Sequence, residues 1–203
     1  LTAACLLLLL AAIGGVYFAF FPAATLLDRL GEWAIPNEWH SPVLRWTVAR
    51  GLPVALVLGA ALSCVTAAFW DRRRAVTCVV APPVAIAITE YLMKPLVGRP
   101  VPGAGVIGLA YPSGHMTAAA AVVGVAVLAV PPPWRKLALL IGTPIDVLVA
   151  VCLILLRYHY VTDIIAGTAV AVGTTLLVDT ALHLLPAPIH LGHLRTGGHE
   201  DGA

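Results

Sequence analysis

Six apolar stretches of spanning length dominate the chain, near residues 1–21, 50–70, 75–93, 114–131, 137–156 and 162–182. A run of about 20 apolar residues, wound as a helix, matches the hydrocarbon thickness of a bilayer. Lipid offers backbone amides and carbonyls no partner, so each run must satisfy its own hydrogen bonds as a helix. The sequence therefore predicts an all-α, polytopic membrane protein, a six-transmembrane-helix bundle with an interfacial segment after the first helix. Composition agrees: 60% of the 203 residues are hydrophobic and only 11% are charged, whereas soluble domains are nearer half apolar and a quarter charged. The first stretch is long enough to span and more spans follow, so it reads as a helix and not as a cleaved leader.

Residues 1–185 read as one membrane domain and 186–203 as a flexible tail. A net charge of +2 with scattered basic residues gives no footprint for nucleic acid. Cys5, Cys64, Cys78 and Cys152 all fall within apolar runs, show no metal-ligand or disulfide spacing, and read as small buried hydrophobes. The tail histidines His190, His193 and His199, with His183 before them, match no metal motif.

The connections give the orientation. Residues 22–49 carry Trp33, Trp39 and Trp46 among charges, a composition suited to an interfacial connection with aromatic anchors. The basic turns DRRR (71–74) and PPPWRK (131–136) fall on one side with both termini. The positive-inside rule makes that side cytoplasmic. By count the cations tie: Arg72, Arg73, Arg74, Arg135, Lys136 and Arg195 against Arg29, Arg45, Arg50, Lys94, Arg99 and Arg157. The tie breaks only if some outer cations serve chemistry.

Three segments meet on that outer side. KPLVGRP (94–100) leaves the third span, YPSGHM (111–116) enters the fourth, and RYHYVTD (157–163) joins the fifth to the sixth. They collect Lys94, Arg99, Ser113, His115, Arg157, His159 and Asp163 at one membrane face. Clustered cations call for an anion of more than one charge; arginine offers a planar fork to phosphate and lysine a point charge. Pro112, Ser113 and Gly114 open a helix whose free amides and positive dipole end favour the same anion, and Gly114 permits close backbone approach. His159 and Asp163 are four residues apart, a helix-face spacing. A carboxylate bonded to one ring nitrogen would fix the tautomer and leave the other nitrogen to attack. His115 would protonate the leaving oxygen and then activate water.

In order and type these three blocks resemble the type-2 phosphatidic acid phosphatases, over roughly residues 50–182. The resemblance implies a six-helix membrane enzyme without a metal or other cofactor. It implies His159 as a nucleophile forming a phosphohistidine, Asp163 as its orienting carboxylate and His115 as the acid–base group. Lys94, Ser113 and Gly114 match phosphate-binding positions. Two cations depart from the family spacing: its first block would place Arg-Pro at Val101–Pro102 and its third would place Arg at Leu153. Arg99 and Arg157 are carried as phosphate binders by nearness. The variant spacing resembles an actinobacterial branch, in keeping with ten arginines to two lysines.

The expected function is metal-independent hydrolysis of a lipid phosphate or diphosphate, an isoprenyl carrier being the expected class. The protein would sit in the plasma membrane, with both termini cytoplasmic and the site at the outer face. The alternatives are a flippase that binds an anionic lipid without cleaving it, a phosphotransferase, or an inactive relative. Glu90, four before Lys94, reads as its ion-pair partner. Asp146 stands mid-span, where a carboxylate is costly and often functional.

Overall fold

A computed structural model describes residues 1–35, 41–102 and 108–185. It shows α1 (Thr2–Phe20), a short α2 (Leu26–Trp33), α3 (Pro42–Ala68), α4 (Arg72–Val97), α5 (Gly114–Ala129), α6 (Pro132–Leu155) and α7 (Val161–Leu184). Five of these are long and apolar enough to cross a membrane, and α5 is a shorter apolar helix. The chain is thus the polytopic helical membrane protein that its hydropathy predicts. The expected tail, 186–203, with His190, His193 and His199, lies outside the described residues, as do Trp39 and the centre of the 101–110 loop.

The helix boundaries shift for local reasons. The third helix begins at Pro42, not near 50, because Ser41 accepts the Leu44 amide at 3.2 Å and Pro42 takes the first-turn position. The connection after α1 is correspondingly shorter than the 22–49 expected. The fourth helix runs past 93, through a π-helical turn at Ile88–Met93, so Lys94 sits in its last turn and not in a loop. It stops at Gly98, whose φ of 66° is a left-handed conformation that glycine adopts without steric cost.

The two innermost helices are α5 and α7. α7 packs on α1, α4 and α5, while α5 also meets α3 and α6. Packing is close because the facing residues are small. Ala119, Ala120 and Ala121 of α5 are buried. A side chain at Gly173 of α7 would meet Leu8 Cγ at 2.9 Å and the Ala4 carbonyl of α1 at 3.1 Å. Small residues let membrane helices approach where lipid supplies no hydrophobic drive between them. Large apolar residues on α1, α3 and α6 face outward, as Leu9, Leu10, Val57, Leu62, Leu140 and Leu148 do. Water would not tolerate such a surface; a bilayer does.

One end of the bundle carries a cap and ion-pair cluster. Asp71 accepts the amides of Arg73 and Arg74 and pairs with Arg74 at 3.2 Å, and Arg73 donates to the His183 carbonyl. The other end gathers the C-termini of α1, α4 and α6, the N-termini of α5 and α7, and α2. All seven chemistry-bearing residues singled out from sequence lie there.

Candidate active site

The site end is organised around the start of α5. Ser113 is the N-cap, with extended backbone, and its Oγ accepts the Met116 amide at 3.3 Å. Its own amide donates to the Asp163 carbonyl at 3.0 Å, which stitches the start of α5 to the start of α7. Ser113 is fully buried, so its hydroxyl serves the helix. The first-turn amides of Gly114 and His115 lack intrahelical acceptors by the geometry of any helix start. Glu90 and Lys94 lie beside this first turn, against Gly114.

Gly114 is needed for its missing side chain. A Cβ there would overlap the Glu90 carboxylate and lie 3.4 Å from Lys94 Nζ. Lys94 and Glu90 pair at 2.7 and 3.0 Å. The structure thus brings Lys94, Gly114 and the start of α5 into one corner.

His159 reaches that corner from the α6–α7 connection, and Arg157 sets its approach. Helix α6 closes with the Arg157 amide bonded to the Ile154 carbonyl and the Tyr158 amide to the Leu153 carbonyl. This is the paired C-terminal bond pattern that requires a left-handed residue, generally glycine. Arg157 takes that conformation, φ 57°, at a cost of about 1–2 kcal/mol. Its guanidinium pairs with Glu32 of α2 at 3.2 Å, so its charge is directed to the interfacial helix.

His159 is buried, and its Nδ1 lies 2.9 Å from the Ala110 carbonyl. A carbonyl can only accept, so Nδ1 carries the proton and Nε2 keeps its lone pair. Burial, then the Lys94 charge, lower the His159 pKa to about 3, with His115 adding to the effect and the Ala110 bond opposing it. The ring is neutral at physiological pH, which a nucleophile requires. The Ala110 carbonyl is itself held in place: the Ala110 amide donates to the Arg99 carbonyl at 2.7 Å, and Pro100 and Leu109 form an antiparallel bridge.

Two expectations from sequence are corrected by this geometry. The first is a direct His159–Asp163 hydrogen bond. Helix α7 begins at Val161, so His159 lies outside it and the four-residue helix spacing does not apply. Asp163 Oδ2 stands 3.9 Å from Nδ1, beyond hydrogen-bond range, and caps α7 by accepting the Tyr160 amide at 2.8 Å. The orienting contact comes from a backbone carbonyl, which no side-chain motif reveals.

The second concerns Arg99. It is fully buried and every guanidinium donor is engaged. Nε donates to the Pro22 carbonyl; Nη1 donates to Thr162 Oγ1 at 2.8 Å and Asp163 Oδ1 at 2.5 Å; Nη2 donates to Asp28 Oδ2 at 2.8 Å and the Ala23 carbonyl. Phe18 and Tyr160 stack on it with centroids 3.8 and 4.2 Å away. No donor is left for a phosphate. Arg99 instead locks α2, the end of α4 and the start of α7 together.

Asp28 completes this lock and was missed from sequence. It forms a capping box with Thr25 and accepts the Thr162 amide and hydroxyl at 3.0 and 2.9 Å. Burial pushes its pKa up, but hydrogen bonds from Thr162, Arg99 and Thr25 outweigh this and hold it below the ordinary carboxylate value. The signal was present: Thr-x-x-Asp in TLLD (25–28) is a capping-box pattern. Tyr111 was also missed. Its phenol crosses to α1 and donates to the Ala11 carbonyl at 2.7 Å, and its ring meets Phe18.

Comparison with known proteins agrees with this architecture. The fold matches the crystal structure of a transmembrane PAP2-type phosphatidylglycerolphosphate phosphatase from Bacillus subtilis, with a TM-score of 0.62, 20% identity, and coverage of 86% of this chain and 94% of that one. No curated protein sequence matches significantly. A family model described as the PAP2 superfamily covers residues 51–183, the segment that runs from within α3 to near the end of α7 and holds every residue of the corner built by Lys94, Gly114, His115 and His159. The chain belongs to the PAP2 superfamily.

Proposed function

We propose that the protein is an integral membrane lipid phosphatase working through a phosphohistidine at His159. The observation that carries this reading is the neutral, buried His159. Its Nδ1–H is committed to the Ala110 carbonyl, and Lys94 and the start of α5 lie close by.

The steps follow from these groups. The lipid phosphate binds between Lys94 and the first-turn amides of Gly114 and His115. His159 Nε2 attacks phosphorus in line, and the P–O bond to the lipid breaks. His115 gives its proton to the leaving oxygen. The positive charge that develops on the His159 ring is shared with the Ala110 carbonyl through Nδ1–H and favoured by Asp163 at 3.9 Å. Water then attacks phosphorus, His115 takes its proton, and the P–N bond breaks to release phosphate and restore His159. In this account Arg99 is a positioning residue that acts through Asp163, and no metal or other cofactor takes part.

A groove of about 530 Å³ between α1 and α7 supports a lipid substrate. It is lined by apolar residues such as Leu7, Leu10, Ala11 and Phe18, and its polar end is at Tyr111 and Thr162. A long apolar tail would lie there, open to the bilayer. An isoprenyl phosphate or diphosphate is the proposed class, with the site at the outer face of the plasma membrane and both termini cytoplasmic.

The test is phosphate release in detergent, with chelator present, from matched isoprenyl and diacylglycerol phosphates and diphosphates. Chelator-resistant release that is greatest for isoprenyl substrates supports the proposal. Release that requires added metal overturns the mechanism, and a preference for diacylglycerol phosphates overturns the substrate class.

A further inference from the structure

Resting on the phosphatase reading, we propose that Glu90 is a built-in stand-in for the substrate phosphate, which displaces it on binding and which it helps to expel as product. The carboxylate lies where a Cβ of Gly114 would be, against the first turn of α5, with both oxygens on Lys94 Nζ at 2.7 and 3.0 Å. That is the position in which an anion gains from a lysine and from a helix start together. Glu90 is carried by the π-helical turn Ile88–Met93, a distortion often found where a helix serves a site.

The charge balance explains why a carboxylate should stand there. Arg99 is consumed by Asp28 and Asp163, and Arg157 is paired with Glu32. Lys94 is the cation at the start of α5, and its side chain is mostly buried. With no counter-charge, a buried ammonium beside a helix N-terminus and a neutral His159 would be costly. Glu90 supplies that charge in the resting site. Its own side chain is 36% exposed, so it has room to swing outward.

Substrate binding is then an exchange of one anion for another. The apolar tail of a lipid phosphate contributes binding that drives the exchange, and free phosphate lacks it. Glu90 raises the dissociation constants of lipid phosphate and of free phosphate by about the same factor; the tail keeps substrate bound, while product, which has no tail, is left weakly held and departs sooner. It acts as a competitor for the phosphate position that weakens product inhibition.

The test is product inhibition by inorganic phosphate in native protein and Glu90→Gln. Gln keeps the shape and removes the charge. Losing one like charge a few ångströms from the bound anion should tighten the inhibition constant by about tenfold or more. An active variant whose inhibition constant stays within about twofold of native overturns the role of Glu90. Native protein that releases no phosphate from any lipid overturns the parent reading instead, so the two failures are distinct. A second measurement needs no variant. Carbodiimide should join Glu90 to Lys94 in native protein, read by peptide mass spectrometry, and inorganic phosphate should protect against the cross-link. Cross-linking that is indifferent to saturating phosphate overturns the proposal even if Glu90→Gln fails to fold.

Discussion

Replacing Arg99 by Met separates two roles that the same residue could hold. A phosphate ligand at the surface of a site can be removed at little cost to folding. A buried guanidinium between two carboxylates cannot. Asp28 and Asp163 contact Arg99 at 2.8 and 2.5 Å, and all three side chains are fully buried. Met fills a similar volume but leaves both carboxylates without their counter-charge. Breaking a buried ion pair by removing one partner costs about 3–5 kcal/mol. At roughly 2–4 °C per kcal/mol for a chain of this size, the melting temperature should fall by about 6–20 °C. Thermal unfolding in detergent reads that fall. Adding Asp163→Asn to Arg99→Met removes one of the stranded charges and should recover part of the loss, since residues in one network do not act additively. At temperatures where Arg99→Met remains folded, KM for a lipid phosphate should stay within about threefold of native, because no guanidinium donor is free for the substrate. A melting temperature unchanged within about 2 °C, together with a tenfold rise in KM, would refute this reasoning and return Arg99 to the phosphate site.

Other expectations follow from the same contacts. Nitrogen-15 spectra of His159 should show the neutral Nδ1–H tautomer from pH 5 to 8, since its pKa is lowered to about 3; a titration near 6.5 would contradict this. Because the folded pKa lies below the unfolded one, the unfolded chain binds the extra proton first. The stability that neutral His159 contributes is present above about pH 6.5 and drains away as pH falls toward 3, which melting curves across that range would report. Ser113→Ala removes the α5 cap and should cost about 1 kcal/mol of stability, read as a small fall in melting temperature. Since the hydroxyl is already used as the cap, kcat should fall by less than about tenfold; a loss comparable to that of a nucleophile variant would make the hydroxyl a substrate ligand. Asp146 in α6 has one carboxylate oxygen buried with no hydrogen-bond partner. Asp146→Leu should raise the melting temperature, by removing a cost of about 1–3 kcal/mol, and leave phosphate release intact. Loss of activity in that variant would give Asp146 a functional role.

How far the sequence could be read depended on range. The spans were legible because an apolar run of membrane length has one stable form. The start of α5 was legible too, since Ser113 followed by Gly114 and an apolar run describes a cap and then a close backbone approach. The His159–Asp163 relation was misread because a spacing of four implies a shared face only within a helix, and α7 starts two residues after His159. That start is fixed by Asp163 folding back on the Tyr160 amide, and nothing in a spacing rule announces it. The role of Arg99 was beyond reach for a different reason. Its strongest partner besides Asp163 is Asp28, 71 positions away in an eight-residue helix. Charge and spacing show that a cation stands near the face; only the packed structure shows which of its faces is already occupied. The backbone carbonyl of Ala110 is the limiting case, since every residue carries one and only the fold selects it.

The most direct test of the central claim is to trap the phosphoenzyme. His115→Ala removes the group that activates water, and a labelled nitrophenyl phosphate, whose phenolate leaves without the protonation that His115 also supplies, should leave phosphate on that variant. Peptide mass spectrometry under alkaline conditions should place it on His159, and the double variant with His159→Ala should carry none. Phosphate found on another residue, or native turnover that persists in His159→Ala alone, would contradict the account.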